Sequence, residues 1–212
     1  MKETHVFKKT KVVCTIGPAS ENVETLTELA KAGMNIARLN FSHGDHEEHA
    51  KRIEMIRHVS DVTGINLGIA LDTKGPEIRL GTFKNGEENY EIGEIVTVTK
   101  AECEGTHERF WIQVPELFSD LKHGDAILIN DGKMRLTVLE NDGSEMKCRV
   151  EVAGPISSKK GCNVPGVKLS MPFLSKKDET DIRFGCRQDV DFIFASFTRR
   201  ASDVNAIRKI CI

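Results

Sequence analysis

Met34-Asn35-Ile36-Ala37-Arg38-Leu39-Asn40-Phe41-Ser42-His43-Gly44 contains a β-strand whose two faces need different surroundings. Alternation sends Arg38, Asn40 and Ser42 to one side and Leu39 and Phe41 to the other, toward a layer of helices. The flanking sequence supplies that layer. Upstream, Val12 to Ile16 reads as a first strand that Gly17-Pro18 stops. Ser20 can cap a helix in which Val23, Leu26, Leu29 and Ala30 recur at helical spacing until Gly33. The second strand runs from Met34 to Phe41. Downstream, Asp45 followed by Glu48 predicts a helix start, Ile53, Ile56 and Val59 form its apolar face to Gly64, and Leu67 to Thr73 reads as a third strand.

After Gly75-Pro76 the hydrophobic period changes to two. Residues 94–100, 109–114, 125–130, 134–139 and 145–153 read as strands, separated by turns such as Asn85-Gly86, Asp131-Gly132 and Asn141-Asp142-Gly143. Pro155, Gly161, Pro165, Gly166 and Pro172 mark a return connection. Ser175 to Asp178 then signals a helix start, Asp191 to Phe197 a fourth parallel strand, and Ala201 to Ile212 a fourth helix. The expected fold is therefore α/β: the first half of a (β/α)8 TIM barrel, residues 1–74 and 171–212, interrupted by a small all-β domain at 75–170. Four strands leave unpaired edges at Val12 to Gly17 and Asp191 to Phe197, so this chain alone is expected to self-associate. The inserted module, which can close its own core, is expected to be its most independent part.

Composition narrows the function classes. The 212 residues are 39% hydrophobic and 29% charged, ordinary values for a globular protein, and no apolar run is long enough to span a bilayer. Thirty Lys and Arg against 32 Asp and Glu leave a net charge of −2, so no global field attracts nucleic acid, and any anion site must be local. Six cysteines without a C-x-x-C pair read as reduced core thiols. Met1 to Phe7 lacks an apolar signal core, and a cytoplasmic location without membrane association is expected.

Polar groups gather at three strand ends: Arg38, Asn40, Ser42 and His43, then Asp72, Thr73 and Lys74, then Ser196 and Thr198. In a barrel these ends share the rim where catalytic groups sit. An arginine fork suits a phosphoryl or carboxyl group, and amide, hydroxyl and carboxylate oxygens suit a hard cation. A purely structural Arg38–Asp72 ion pair, and solvated Lys74, Arg79 and Lys177, satisfy the same pattern.

Three blocks carry a resemblance: Lys11 to Ser20, Met34 to Gly44, and Ala70-Leu71-Asp72-Thr73-Lys74-Gly75-Pro76-Glu77-Ile78-Arg79. With Ile129 to Gly132, Asn163 to Val167 and Asp189 to Phe197, they resemble pyruvate kinase over nearly the whole chain. The resemblance implies transfer of a phosphoryl group from phosphoenolpyruvate to ADP, giving ATP and pyruvate, with magnesium or manganese and potassium as cofactors. It implies that Arg38 contacts the transferring group, and that Asn40, Ser42, Asp72 and the Thr73 carbonyl hold potassium. His43, Arg79 and Lys177 would lie on the nucleotide side, and Asp131 would come from the inserted module acting as a lid. Glu77 matches the potassium-dependent members. The family's Lys-x-Glu element, which supplies a lysine and a divalent-metal ligand, does not occur before Ile212. The isolated chain is therefore expected to be inactive, whereas a full-length form is expected to be a homotetramer. The competing reading is a truncated, non-catalytic protein that binds nucleotide or cation, or pairs with a full-length subunit.

Overall fold

A computed structural model describes residues 9–212; the signal-sequence reading of Met1 to Phe7 lies outside the described residues. Among the described residues the chain divides into two compact units, one that runs up to residue 76 and resumes at 173–212, and one of residues 77–172.

The first unit begins with strand β1 (Val12–Thr15), helix α1 (Val23–Ala32), strand β2 (Met34–Asn40), helix α2 (His46–Thr63) and strand β3 (Gly68–Asp72). The second unit holds β4 (Ile78–Arg79), β5 (Glu87–Tyr90), β6 (Ile95–Thr99), β7 (Arg109–Trp111), the one-turn helix α3 (Leu117–Asp120), β8 (Ala126–Ile129), β9 (Met134–Asn141), β10 (Glu145–Val152), β11 (Gly154–Ser157) and β12 (Gly161–Asn163). The chain then returns to the first unit as α4 (Lys176–Arg187), β13 (Phe192–Phe194) and α5 (Ala201–Ile210).

The first unit is a curled half-barrel sheet of parallel strands in the order β1-β2-β3-β13. Its helix boundaries have local causes. Asp45 accepts a hydrogen bond from Glu48 N at 2.9 Å and so caps α2. Ser175 and Asp178 form a reciprocal capping box at the start of α4. Gly33, at φ 107, closes α1 in a left-handed conformation that side chains resist. The expected cap at Ser20 is displaced: Asn22 caps α1 by accepting from Thr25 N at 2.8 Å. Ser20 instead exchanges hydrogen bonds with the Gly17 backbone, closing the turn after β1.

Alternation packs Leu39 and Phe41 of the second-strand segment, with Ala37, against Leu26 and Ala30 of α1 and Ile53, Ile56 and Val59 of α2. Each fully buried aliphatic side chain here stabilises the unit by about 1.5–3 kcal/mol.

In the second unit, a seven-stranded sheet of order β4-β12-β8-β9-β10-β6-β7 and a two-stranded β11-β5 ribbon enclose a separate core that includes Phe110, Leu117, Ile127 and Val138. Part of the segment read as a return connection is strand: residues 154–157 pair with 87–90, and 161–163 pair with both β4 and β8. Pro155 fits because it lies in a two-stranded ribbon, where a missing N–H is tolerated. Gly81 meets the lone tryptophan so closely that a Cβ would lie 1.7 Å from Trp111 Nε1. Gly81→Ala is expected to cost about 1–3 kcal/mol by overpacking. A shifted Trp111 emission with a lowered urea midpoint checks this; unchanged values contradict it.

The cysteines divide. Cys148 and Cys162 are buried, as expected of core thiols, but Cys14 and Cys103 are only half-buried, and Cys186 and Cys211 are exposed. The core reading holds for two of the six.

Candidate active site

The sheet register sets the rim. Thr15 pairs with Arg38, and Asn40, Asp72 and Phe194 fall on one row across β2, β3 and β13. Leu39 and Phe41 are 0% and 1% exposed, whereas Arg38, Asn40 and Ser42 are half-buried, so the polar triplet occupies the face opposite the helices.

A hydrogen-bond chain crosses all four strand ends. Arg38 donates from Nε to Asp72 Oδ2 at 2.9 Å, from Nη2 to the same oxygen, and from Nη1 to Thr15 Oγ1 at 2.6 Å. Ser196 Oγ donates to the other oxygen, Asp72 Oδ1, at 2.7 Å. The Arg38–Asp72 ion pair is thus real, and it leaves function open. A second hydrogen on each of Nη1 and Nη2 is left for an incoming oxyanion, on a fork whose orientation is already fixed.

The cation ligand set is less convergent. Asn40 Oδ1 accepts from Ser42 N at 3.0 Å, bringing those two residues together. Thr73 Oγ1 accepts from Ser196 N at 3.1 Å, which ties the end of β3 to the segment after β13. A carboxylate offers about four lone-pair sites, and three hydrogen bonds from Arg38 and Ser196 engage those of Asp72. Room for a cation therefore remains on Oδ1, and the hard-oxygen chemistry of this set fits a monovalent ion. Among the described residues, no group of three His, Cys, Asp or Glu side chains converges as a metal site.

Lys177 is neither buried nor simply solvated. Its Nζ donates to the Phe41 carbonyl at 2.8 Å and to Asp181 Oδ2 at 2.6 Å. Asp181 also meets His46 Nε2 at 2.8 Å. The fully buried Asp178 accepts from Gly75 N at 3.0 Å, so the capping box that starts α4 also ties down the loop after β3. His43 and Lys74 are exposed.

Arg79 and Asp131 belong to the second unit. Arg79 is half-buried, forks onto Glu77 at 2.7 and 2.8 Å, and donates to the Lys159 carbonyl at 2.7 Å. Asp131 is exposed and follows Asn130 in a turn where both have left-handed backbone, φ 53 and 58. Two successive non-glycine residues in that region store strain, which is often found at functional turns.

Sequence reading missed three contributors. Thr15 reads in the sequence only as part of a strand, since its contact with Arg38 depends on inter-strand register. Phe197, left-handed at φ 60 beside Ser196, gives no sequence signal. Asp181 could have been found as the acid four residues beyond Lys177 on one helix.

Below the rim, the Phe41 ring stacks on buried His49 with centroids 3.8 Å apart. His49 Nε2 donates to the His43 carbonyl at 2.9 Å, and Nδ1 accepts from Arg52, which fixes a neutral tautomer. Burial, with Arg52 assisting, holds its pKa below the ordinary 6.5. The unfolded chain therefore takes up this proton first, so stability is full above pH 6.5 and declines as pH falls below it. The melting temperature of wild type is expected to fall more steeply than that of His49→Gln on going from about pH 7 to about pH 5.5. Parallel pH profiles would contradict this.

A parallel half-barrel with an arginine fork held at its strand ends defines a protein of the (β/α)8-barrel class with a charged rim. The pyruvate kinase barrel domain matches residues 7–212, and the chain belongs to the pyruvate kinase family. It is 51% identical over 206 residues to the pyruvate kinase of Staphylococcus haemolyticus (strain JCSC1435), covering 96% of this chain and 35% of that protein. The pyruvate kinase of Geobacillus stearothermophilus is 49% identical over 205 residues, and that of Staphylococcus aureus (strain USA300) 50% over 206, with the same coverage. The chain thus spans 35% of the length of these relatives. Among the described residues, no helix is long and apolar enough to cross a membrane.

Proposed function

We propose that this chain supplies the amino-terminal part of an enzyme that moves the phosphoryl group of phosphoenolpyruvate to ADP, yielding ATP and pyruvate. The observation that carries the reading is the Arg38 fork, held by Asp72 and Thr15 with N–H groups to spare. A transferring phosphoryl group spreads negative charge over its oxygens, and donors already oriented toward it need little reorganisation.

Asn40, Ser42, Asp72 and the Thr73 carbonyl are proposed to hold potassium, adding fixed positive charge near the same oxygens. His43 and Lys177 are proposed for the nucleotide; Arg79 for the same role, and Asp131 for a lid, follow from family resemblance. Magnesium or manganese, when bound, would neutralise phosphate charge, and its protein ligands would come from outside these residues.

The test is potassium dependence of ATP formation from phosphoenolpyruvate and ADP by the complete enzyme. Replacing potassium by tetramethylammonium at constant ionic strength should abolish most turnover. Equal rates in both salts would remove the cation assignment, and no ATP under any salt would remove the whole reading.

A further inference from the structure

The two exposed cysteines are not scattered singly. Cys186 lies one turn beyond Ile182 on α4, and Cys211 lies one turn beyond Ile207 at the end of α5. Ile182 and Ile207 pack together in a small core with Phe173. Residues four apart share a helix face, so the contact joining Ile182 to Ile207 continues to the two cysteines. The α4–α5 contact therefore makes the two thiols neighbours, close enough for Cys186 to perturb Cys211. Both helices run from the rim end of the sheet toward its opposite end, as the parallel strand order requires.

We propose that Cys186 and Cys211 form a reversible dithiol/disulfide pair that clamps α4 to α5 under oxidation. The oxidant class is a hydroperoxide. One thiol gives up two electrons to hydrogen peroxide, forming a sulfenic acid and releasing one water; the second thiol displaces the sulfenic hydroxyl, forming the S–S bond and releasing a second water. Two thiols are oxidised, one peroxide is reduced, and a dithiol reductant reverses the step.

The two buried cysteines do not compete for this chemistry. Burial pushes the Cys148 and Cys162 thiols up to about 12, which suppresses their reactive thiolates at neutral pH. Partial burial, and then the adjacent Cys186 thiol, also raise the Cys211 pKa. Because α4 carries Lys177 in its first turn and Asp181 at its middle, the clamp would fix the helix that presents them.

The test uses the full chain, folded by circular dichroism, at low concentration. It is treated briefly with hydrogen peroxide, blocked with N-ethylmaleimide and digested with trypsin without reduction. Cleavage after Arg183, Arg187 and Lys209 separates the two cysteines, so a link between the Phe184 to Arg187 and Ile210 to Ile212 peptides reports the disulfide directly. The expected result is that this linked pair is the main oxidation product, disappears with dithiothreitol, and drops by at least about tenfold when the chain is oxidised in urea. In C186S and C211S the remaining partner is expected to be found blocked or as a sulfenic adduct. The proposal is overturned if folded chain is oxidised at Cys14 or Cys103 without the link, if the link forms equally in urea, or if it occurs only in covalent dimers.

Discussion

In the complete enzyme, Arg38→Ala is expected to lower kcat roughly 10²- to 10³-fold while leaving the KM for ADP within a few-fold. The argument rests on where the guanidinium is tied. Its Nε and one Nη2 hydrogen are committed to Asp72 and one Nη1 hydrogen to Thr15. What is left is a pair of N–H groups in fixed orientation, which on the proposed reading meet the charge that peaks during transfer. Lysine offers a point charge with no such fork, so Arg38→Lys should recover little. Steady-state kinetics on both variants, with each substrate varied, checks the split. Equal losses in kcat and in ADP affinity would place Arg38 in binding and not in transfer.

Phe41→Ala should have the largest effect on stability, about 3–5 kcal/mol. Phe41 is 1% exposed and stacks on His49, and its carbonyl accepts the Lys177 hydrogen bond. Truncation would leave a cavity between β2 and α2 and strip the imidazole of its stacking partner. The side chain lies opposite the rim triplet, so Phe41→Leu, which refills much of the volume, should restore most of the loss. Urea unfolding followed by far-ultraviolet circular dichroism measures both. A Phe41→Ala midpoint equal to wild type would contradict the packing account.

The half-barrel was legible wherever local chemistry and periodicity agreed. Asp45, Ser175, Gly33 and Gly64 mark helix ends by capping and left-handed closure, which act within a few residues of the chain. Ser20 misled because its hydroxyl has two uses, and the turn at Gly17 took it. Four strands escaped. Ile78–Arg79 is two residues long and Gly161–Asn163 three, too short to show a period. Glu87–Tyr90 and Gly154–Ser157 carry polar residues or proline and are strands because they pair with each other. The division of residues 38–42 between two faces followed from alternation alone. The bonds from Arg38 to Thr15 and from Asp72 to Ser196 did not, since they span 23 and 124 positions and depend on register between strands.

The most direct test of the central claim is phosphorus NMR of the complete enzyme mixed with phosphoenolpyruvate, ADP, magnesium and potassium. The phosphoenolpyruvate resonance is expected to decay as the γ-phosphate of ATP grows in equal amount, with Arg38→Ala slowing both together. Decay into inorganic phosphate without ATP, or an unchanged spectrum from a folded enzyme, would contradict the account.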